Sequence, residues 1–329
     1  VSYLRDTYPV YSKSAVNRAG DNVRNDTVSD DDIEIIENWR ASHRHVINTF
    51  QEGLRRRATS SSVNVSQRLK RKSTIYDKLT RQSGMQLARM HDIAGCRVIF
   101  NSERQLNKFR EKYHKAKFDH KLKKYYDYIE NPKFDGYRGI HDVYRYTGSR
   151  GGKDWNGLLI EIQYRTKYQH AWATAVEMME NITGSQIKFK RATDSEKEFF
   201  KLTSELIARH FEGKKSCLSN ISNSELIRRY EDLEVEEHYL QRLEAACLAR
   251  HEIIPDSTKW LILIFNKSAN TDSLGFVTSD TEAKMTEKYF KIEKDARDKE
   301  DVVLLGATDK RSLKEAFKNY FLDANDFVN

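Results

Sequence analysis

The chain has 329 residues, with 57 Lys and Arg against 49 Asp and Glu and a net charge of +8. That length suits about two domains, and 3 prolines and 14 glycines argue against low complexity. No run reaches the ~18 uninterrupted apolar residues of a membrane span, the N-terminal VSYLRDTYPVYSK lacks an apolar signal core, and Cys96, Cys217 and Cys247 lie too far apart for a disulfide framework or a paired-cysteine zinc site. These features point to a cytoplasmic protein with reduced thiols, and the basic excess suits a phosphate-rich partner, a free nucleotide or an RNA.

Residues 1–30 are polar and without clear periodicity, and are read as an N-terminal segment. Ser29 and Asp30 then signal a helix start, with Asp31 and Asp32 in the first turn. Ile36, Trp39, Ile47, Phe50 and Leu54 fall near helical spacing, so one long helix is expected to about Arg57, followed by a Ser-rich loop at Thr59–Ser62. The period then changes: Cys96–Phe100, Gly139–Tyr146 and Leu158–Tyr164 read as strands, with helices over Ser102–Lys117 and Tyr168–Asn181. The pattern is α+β, a mixed or antiparallel sheet with helices, over residues 31–215.

Beyond Gly184, Phe199, Leu202, Leu206 and Phe211 form an apolar helical stripe. Leu226, Leu233, Leu240 and Cys247 recur every seven residues in a helical extension over 216–258, closed by Pro255, which permits a hairpin or short coiled coil. Residues 259–329 read as a small α/β module: strands at Trp260–Phe265 and Val302–Leu305, helices around Glu282–Lys294 and Ser312–Phe321, and no catalytic constellation.

Phosphoryl-type transfer needs carboxylates for a metal, cations for the phosphate chain and a means of placing the attacking hydroxyl. Asp92 stands just before a strand. Glu161 lies inside one, with Gln163 and Arg165 on the same face by the period of two. A glutamate between Ile160 and Ile162 is either paired and partly buried, or on a wet face and satisfied by Arg165. Arg68, Lys70, Arg71, Lys72 and Lys78 put five cations within eleven residues, fit for a triphosphate or for a solvated helix face. Tyr125, Tyr126, Tyr128 and Tyr137 surround the glycine-bearing FDGYRGIH and offer stacking faces, or ordinary core aromatics.

Taken in order, RLKRKSTIYDK, DIAGCR, DYIENPKFDGYRGIH, IEIQYRT and HAWATAVE resemble the successive motifs of the RelA/SpoT synthetase domain, over roughly residues 35–211. YSKSAVNRAG and NWRASH are similar to the lead-in of stand-alone members. The resemblance implies a nucleotidyltransferase-like fold, with ATP as pyrophosphate donor and a 3′-hydroxyl acceptor on GDP, GTP or another nucleotide. It makes Asp92 and Glu161 the carboxylates that hold Mg2+, with Glu161 also activating the hydroxyl. Arg68 and Arg97 would sandwich the adenine, and Lys70, Thr74 and Lys78 would hold the donor phosphates. Tyr137 would stack on the acceptor base, with Lys133, His141, Gln163 and Arg165 lining that side.

The motifs also depart from the family. Glu177 is followed by Met178 where a Glu-His pair is usual, and Thr74 and Gly139 stand where serine is common. His91-Asp92 spells a metal-hydrolase pair but falls within a synthetase motif, so synthesis without hydrolysis is expected. A toxin-like member acting on the 3′ end of tRNA and a catalytically silent nucleotide-binding module are the alternatives. The chain allows a homo-oligomer, and a protein trigger could act through residues 259–329, expected to dock on the catalytic unit and restrain access to the acceptor side.

Overall fold

A computed structural model describes residues 7–58, 63–149, 151–183, 192–240, 243, 260–268, 271–279, 288–289, 291–292, 300–306 and 327. The stretch in which the sequence suggests no element carries helix α1, Lys13–Arg24. It is hard to read because its buried face is made of Val16, Ala19, Gly20 and Val23, two of them too small to stand out as an apolar stripe. Helix α2, Asp30–Arg57, starts where expected. Ser29 and Asp32 form a reciprocal capping box, and Asn22 of α1 donates to the Asp32 carboxylate at 2.9 Å.

Five strands form one mixed sheet: β1 (Asn64–Leu69), β2 (Ala94–Phe100), β3 (Lys121–Asp127), β4 (Ile140–Arg145) and β5 (Leu159–Thr166). Their order is β1-β2-β5-β4-β3, with β2 and β5 parallel and the other pairs antiparallel. Helix α3 (Lys72–Arg81) follows β1, and α4 (Glu103–His114) makes the crossover after β2. Strands β1 and β3 were not legible in the sequence. β1 hides in the basic run, which the structure splits between a strand and a helix. β3 is the lysine-rich KLKKYYD, an exposed edge strand whose charges discourage further pairing.

One face of the sheet is apolar, with Cys96, Val98, Phe100, Ile160, Ile162, Tyr144 and Tyr164 buried under α2 and α4. Its one fully buried carboxylate among these strands' described residues, Asp142, takes Arg110 at 2.7 Å and His114 at 2.6 Å, both from α4. Helices α5 (Lys167–Thr183), α6 (Asp194–Phe211) and α7 (Asn223–Glu237) build a second cluster around Trp172, Phe199 and Phe200. Of the α6 stripe, Phe199 and Leu202 are buried, while Phe211 is exposed and stacks on Tyr168. The seven-residue repeat is not one helix: α7 ends at His238 in the left-handed region, and Cys247 lies outside the described residues, as do Pro255 and the Ser-rich loop. A second sheet, antiparallel throughout, runs β7-β6-β8 from β6 (Trp260–Ser268), β7 (Thr271–Ser279) and β8 (Glu300–Gly306). The Ser- and Thr-rich β7 adds a strand to the two expected. Residues 288–289 and 291–292 of the expected charged helix are helical, and Ser312–Phe321 lies outside the described residues. Among the described residues no helix is long and apolar enough to cross a membrane.

His43, on α2, is 1% exposed, and its Nδ1 lies 2.7 Å from the Trp39 carbonyl. Burial lowers its pKa from 6.5 to about 4. The fold therefore holds it neutral, while the unfolded chain takes up a proton below pH 6.5. Stability is full above 6.5 and falls as pH drops toward 4, by on the order of 3 kcal/mol from this group. Urea titrations between pH 7 and 4 should show that slope, and His43→Leu should flatten it. An equal slope in the variant would contradict the assignment.

Candidate active site

The register places the chemistry on the sheet face opposite α2 and α4. Gly95 pairs with Arg68 on one side and Glu161 on the other, Arg97 pairs with Gln163, and Gln163 pairs with His141, so all share one face with Arg165. A Cβ at Gly95 would meet only backbone oxygens, Arg68 at 3.4 Å and Glu161 at 4.0 Å. The floor of the face is thus open at Gly95, with Arg68, Glu161 and Arg97 around it.

Glu161 is 6% exposed, and its oxygens are taken by His91 Nε2 at 3.2 Å, His141 Nδ1 at 3.3 Å and the donating Gln163 amide at 2.8 Å. Burial opposes its charge, yet His141 and the hydrogen bonds from His141, His91 and Gln163 hold its pKa well below the usual carboxylate range. Arg165, the partner that a wet-face reading would give it, instead donates to Gln163 and to the Tyr137 hydroxyl. Glu161 is therefore a paired, buried charge.

Asp92 lies in the turn before β2. Lys70, just after β1, and Lys78, on α3, each donate to one of its oxygens, at 3.0 and 2.8 Å. Burial works against the Asp92 charge, but the two ammonium groups lower its pKa to about 2. Its interaction with Glu161 is repulsive, so the two carboxylates share one electrostatic site. Burial, with help from Arg68 and Lys78, lowers the pKa of Lys70 against the pull of Asp92. Thr74 sits in the first turn of α3, whose N-cap Arg71 makes no side-chain cap. Those first-turn N–H groups carry the partial positive charge that anions seek. Lys72 belongs elsewhere, on Glu37 of α2 at 3.3 Å.

Across β5, the Tyr137 oxygen lies 2.5 Å from His141 Nε2 and takes Arg165 Nη2 at 3.0 Å. Glu161, His141, Tyr137 and Arg165 form one connected chain of polar contacts. Within it, burial opposes the His141 charge, but Tyr137 and Glu161 raise its pKa. Burial likewise opposes ionisation of Tyr137, but Arg165 and His141 lower its pKa. The Lys133 ammonium lies 4.9 Å from the Tyr137 ring centroid and 4.5 Å from that of Tyr128, which stacks on Tyr126 with 3° between the planes. A base stacking on Tyr137 from that side would replace Lys133.

The turn carrying Tyr137 is clamped from behind. Gly136 has φ +92, and a Cβ there would strike Ser204 of α6 at 2.9 Å. Ser204 donates to the Gly136 carbonyl at 2.6 Å. Arg138 is buried on Glu212, which also accepts from Thr166 at 2.8 Å and Gln169 at 3.0 Å.

Residues 67–181 match a family described as a region found in RelA / SpoT proteins. This stretch is a RelA/SpoT region. Over 129 residues the chain is 33% identical to the probable GTP diphosphokinase RSH3, chloroplastic, of Arabidopsis thaliana, covering 39% of this chain and 16% of that protein. Solved structures that resemble it include small alarmone synthetase 1 from Bacillus subtilis bound to pppGpp, at 24% identity and TM-score 0.46 over 52% of this chain and 90% of that one. Small alarmone synthetase 2 from Bacillus subtilis gives 20% identity and TM-score 0.44 over 54% and 92%. A GTP pyrophosphokinase family protein from Streptococcus pneumoniae gives 23% and 0.39 over 59% and 88%.

Within the RelA/SpoT region, all the site residues named from the sequence lie on or beside this one face, Arg68, Lys70, Thr74, Lys78 and Arg97 toward β1 and Lys133, Tyr137, His141, Gln163 and Arg165 toward β4. Sequence reading passed over His91 as a contact of Glu161, and Tyr126, whose ring lies 6.3 Å from that of His91. The period of β3 would have put Tyr126 on this face, had the strand been recognised. The Met178 departure is absorbed by the core: Met178 is fully buried in the helical cluster. Asp92 and Glu161 fit Mg2+, which binds oxygen donors and commonly takes one or two carboxylates, waters and substrate phosphates. Among the described residues no group of three or more His, Cys, Asp or Glu could hold a metal ion.

The RelA/SpoT region should depend for its shape on Glu212, outside the matched span. Glu212→Ala leaves Arg138 buried at 2% side-chain exposure without its carboxylate, which should cost about 3–5 kcal/mol. Guanidinium unfolding measures this, and a loss under ~1 kcal/mol would show that the pair does not hold the turn.

Proposed function

We propose that the chain is an ATP-dependent pyrophosphokinase that moves the β,γ-pyrophosphate of ATP to the 3′-hydroxyl of GDP or GTP, giving (p)ppGpp, without hydrolase activity. One observation carries the reading: two coupled carboxylates, Asp92 in the turn before β2, gripped by Lys70 and Lys78, and Glu161 on β5, held by two histidines, stand between a donor-like cation cluster and an aromatic, cationic acceptor wall. The identity to a probable GTP diphosphokinase supports a guanine nucleotide as acceptor.

In this mechanism the acceptor oxygen attacks the β-phosphorus of ATP, the bond from the α-phosphate bridge to that phosphorus breaks, and AMP leaves. Arg68 and Arg97 flank the adenine over the open floor at Gly95. Lys70, Lys78 and the first turn of α3 hold the phosphates. Glu161, kept ionised, takes the hydroxyl proton. Asp92 and Glu161 would hold Mg2+, which neutralises charge on the phosphates. Tyr137 positions the acceptor base, with Lys133, His141, Gln163 and Arg165 beside it. His91 and Asp92 are each engaged in this arrangement, which supports synthesis rather than hydrolysis for that pair.

A second reading has the 3′ end of tRNA as acceptor. It is favoured by the exposed edge strand β3, where Lys121, Lys123 and Lys124 stand beside Tyr125, 59% exposed, with Lys133 exposed nearby.

Labelled ATP with Mg2+ and, separately, GDP, GTP, ADP and bulk tRNA distinguishes these readings. Label is expected on GDP or GTP. Label on tRNA alone selects the second reading, and none on any acceptor rejects both. Glu161→Gln should reduce turnover in a folded protein by an amount worth several kcal/mol, about 10²-fold or more, and near-normal turnover would remove Glu161 from the mechanism. Tyr137→Ala should weaken acceptor binding by about 1–3 kcal/mol with ATP affinity little changed. Equal losses for both substrates in isothermal titrations would count against an acceptor role.

A further inference from the structure

Lys70 is held by its backbone as well as its side chain. Its N–H donates to the Ile93 carbonyl at 2.8 Å, next to Asp92. Its carbonyl accepts from Arg40 Nε at 2.7 Å. Arg40 comes from the middle of α2 and is 3% exposed. Another arm of the same guanidinium, Nη2, donates at 2.8 Å to the hydroxyl of Tyr289, 249 residues away. Tyr289 is itself 5% exposed, although the neighbouring Lys288 is exposed. The C-terminal part of the chain thus reaches, through one guanidinium, the backbone of the lysine that grips Asp92.

A buried guanidinium is tolerable only where its donors are met, and its planar fork fixes the relative direction of the groups that meet them. Tyr289 and the Lys70 carbonyl are therefore coupled in geometry. If the tyrosine hydroxyl is lost, Arg40 gains a reason to turn away from Lys70. The strand end at Lys70 then keeps the Ile93 bond on its N–H and Asp92 on its ammonium, but the brace on its carbonyl is weakened.

We propose that Arg40 is a positioning residue for the donor-phosphate lysine Lys70, and that Tyr289 completes it, so that the C-terminal part of the chain supports binding of the nucleoside triphosphate donor. This rests on the donor role given to Lys70 above. It differs from the acceptor-side restraint expected of residues 259–329, and its effect on activity has the opposite sign: separating Tyr289 from Arg40 lowers donor use. A partner that pulls the C-terminal part away would act as an inhibitor through the donor site.

The test uses the full chain carrying Tyr289→Phe, which removes one oxygen, and Arg40→Lys, which keeps the charge and loses the fork. Titration with a non-hydrolysable ATP analogue and Mg2+ should show Tyr289→Phe binding about fivefold more weakly, with KM for ATP raised, KM for the acceptor unchanged, and little change in kcat at saturating ATP. The double variant should bind no more weakly than Arg40→Lys alone, since both act through one contact. Amide exchange at residues 69–71 should quicken in Tyr289→Phe, while α4 stays as protected as in the parent. Parent-like analogue affinity and exchange in Tyr289→Phe would overturn the proposal. So would equal losses for donor and acceptor, which mark general loosening. Faster exchange at 69–71 in a protein whose parent form binds no ATP analogue would keep the coupling and reject the donor reading instead.

Discussion

A carboxylate in the middle of a sheet has to be paid for in partners, and Glu161 sets that requirement for the whole site. It sits on the parallel β2–β5 seam with apolar Ile160 and Ile162 turned to the other face. An ionised group at that depth is stable only with cations and donors around it. His91 arrives from the turn before β2, His141 from β4 and Gln163 from two residues further along the same strand. Satisfying one charge thus gathers three separate parts of the chain. The same turn that delivers His91 delivers Asp92, so the second carboxylate comes with the first one's partner.

The two ends of the face are built differently. On the β1 side, cations meet one carboxylate directly, and the lysines come from the end of β1, where Arg40 donates to the Lys70 carbonyl, and from α3. On the β4 side, a chain of polar contacts runs from Glu161 through His141 and Tyr137 to Arg165, and the turn that carries Tyr137 is anchored to α6 by Ser204 and by the Arg138–Glu212 pair. The helical layer therefore braces the aromatic wall, while α2 braces the strand end that carries Lys70. Phe327 packs edge-on against Phe199 in that helical cluster, and Tyr289 reaches Arg40, so the C-terminal part touches the supports of both ends.

Features that depend on local order were legible in the residues. Ser29 with three aspartates announces the start of α2, and alternation or apolar runs announce β2, β4 and β5. The spacing of Glu161, Gln163 and Arg165 put them on one face before any coordinate, because a strand repeats every two residues. Elements whose stabilising contacts are distant were missed. The buried residues of α1 are small, β3 is an edge strand rich in lysine, and β7 is diluted by Ser, Thr and Gly, so none carries its own apolar signature.

Partnership was decided only by the tertiary structure. Residues within the RelA/SpoT motifs could be named from their order, but nothing local says that Glu161 pairs with His91 rather than Arg165, or that Lys70 and Lys78 share Asp92. Ionic and hydrogen-bonded pairing depends on distance in space: Glu161 and His91 are separated by the crossover of the chain between β2 and β5, and Lys70 meets Asp92 only after the chain has passed through α3. The Arg40 contact with Tyr289 spans 249 residues. Side-chain chemistry and strand period are properties of the sequence, whereas the choice of partner belongs to the sheet order that brings those side chains together.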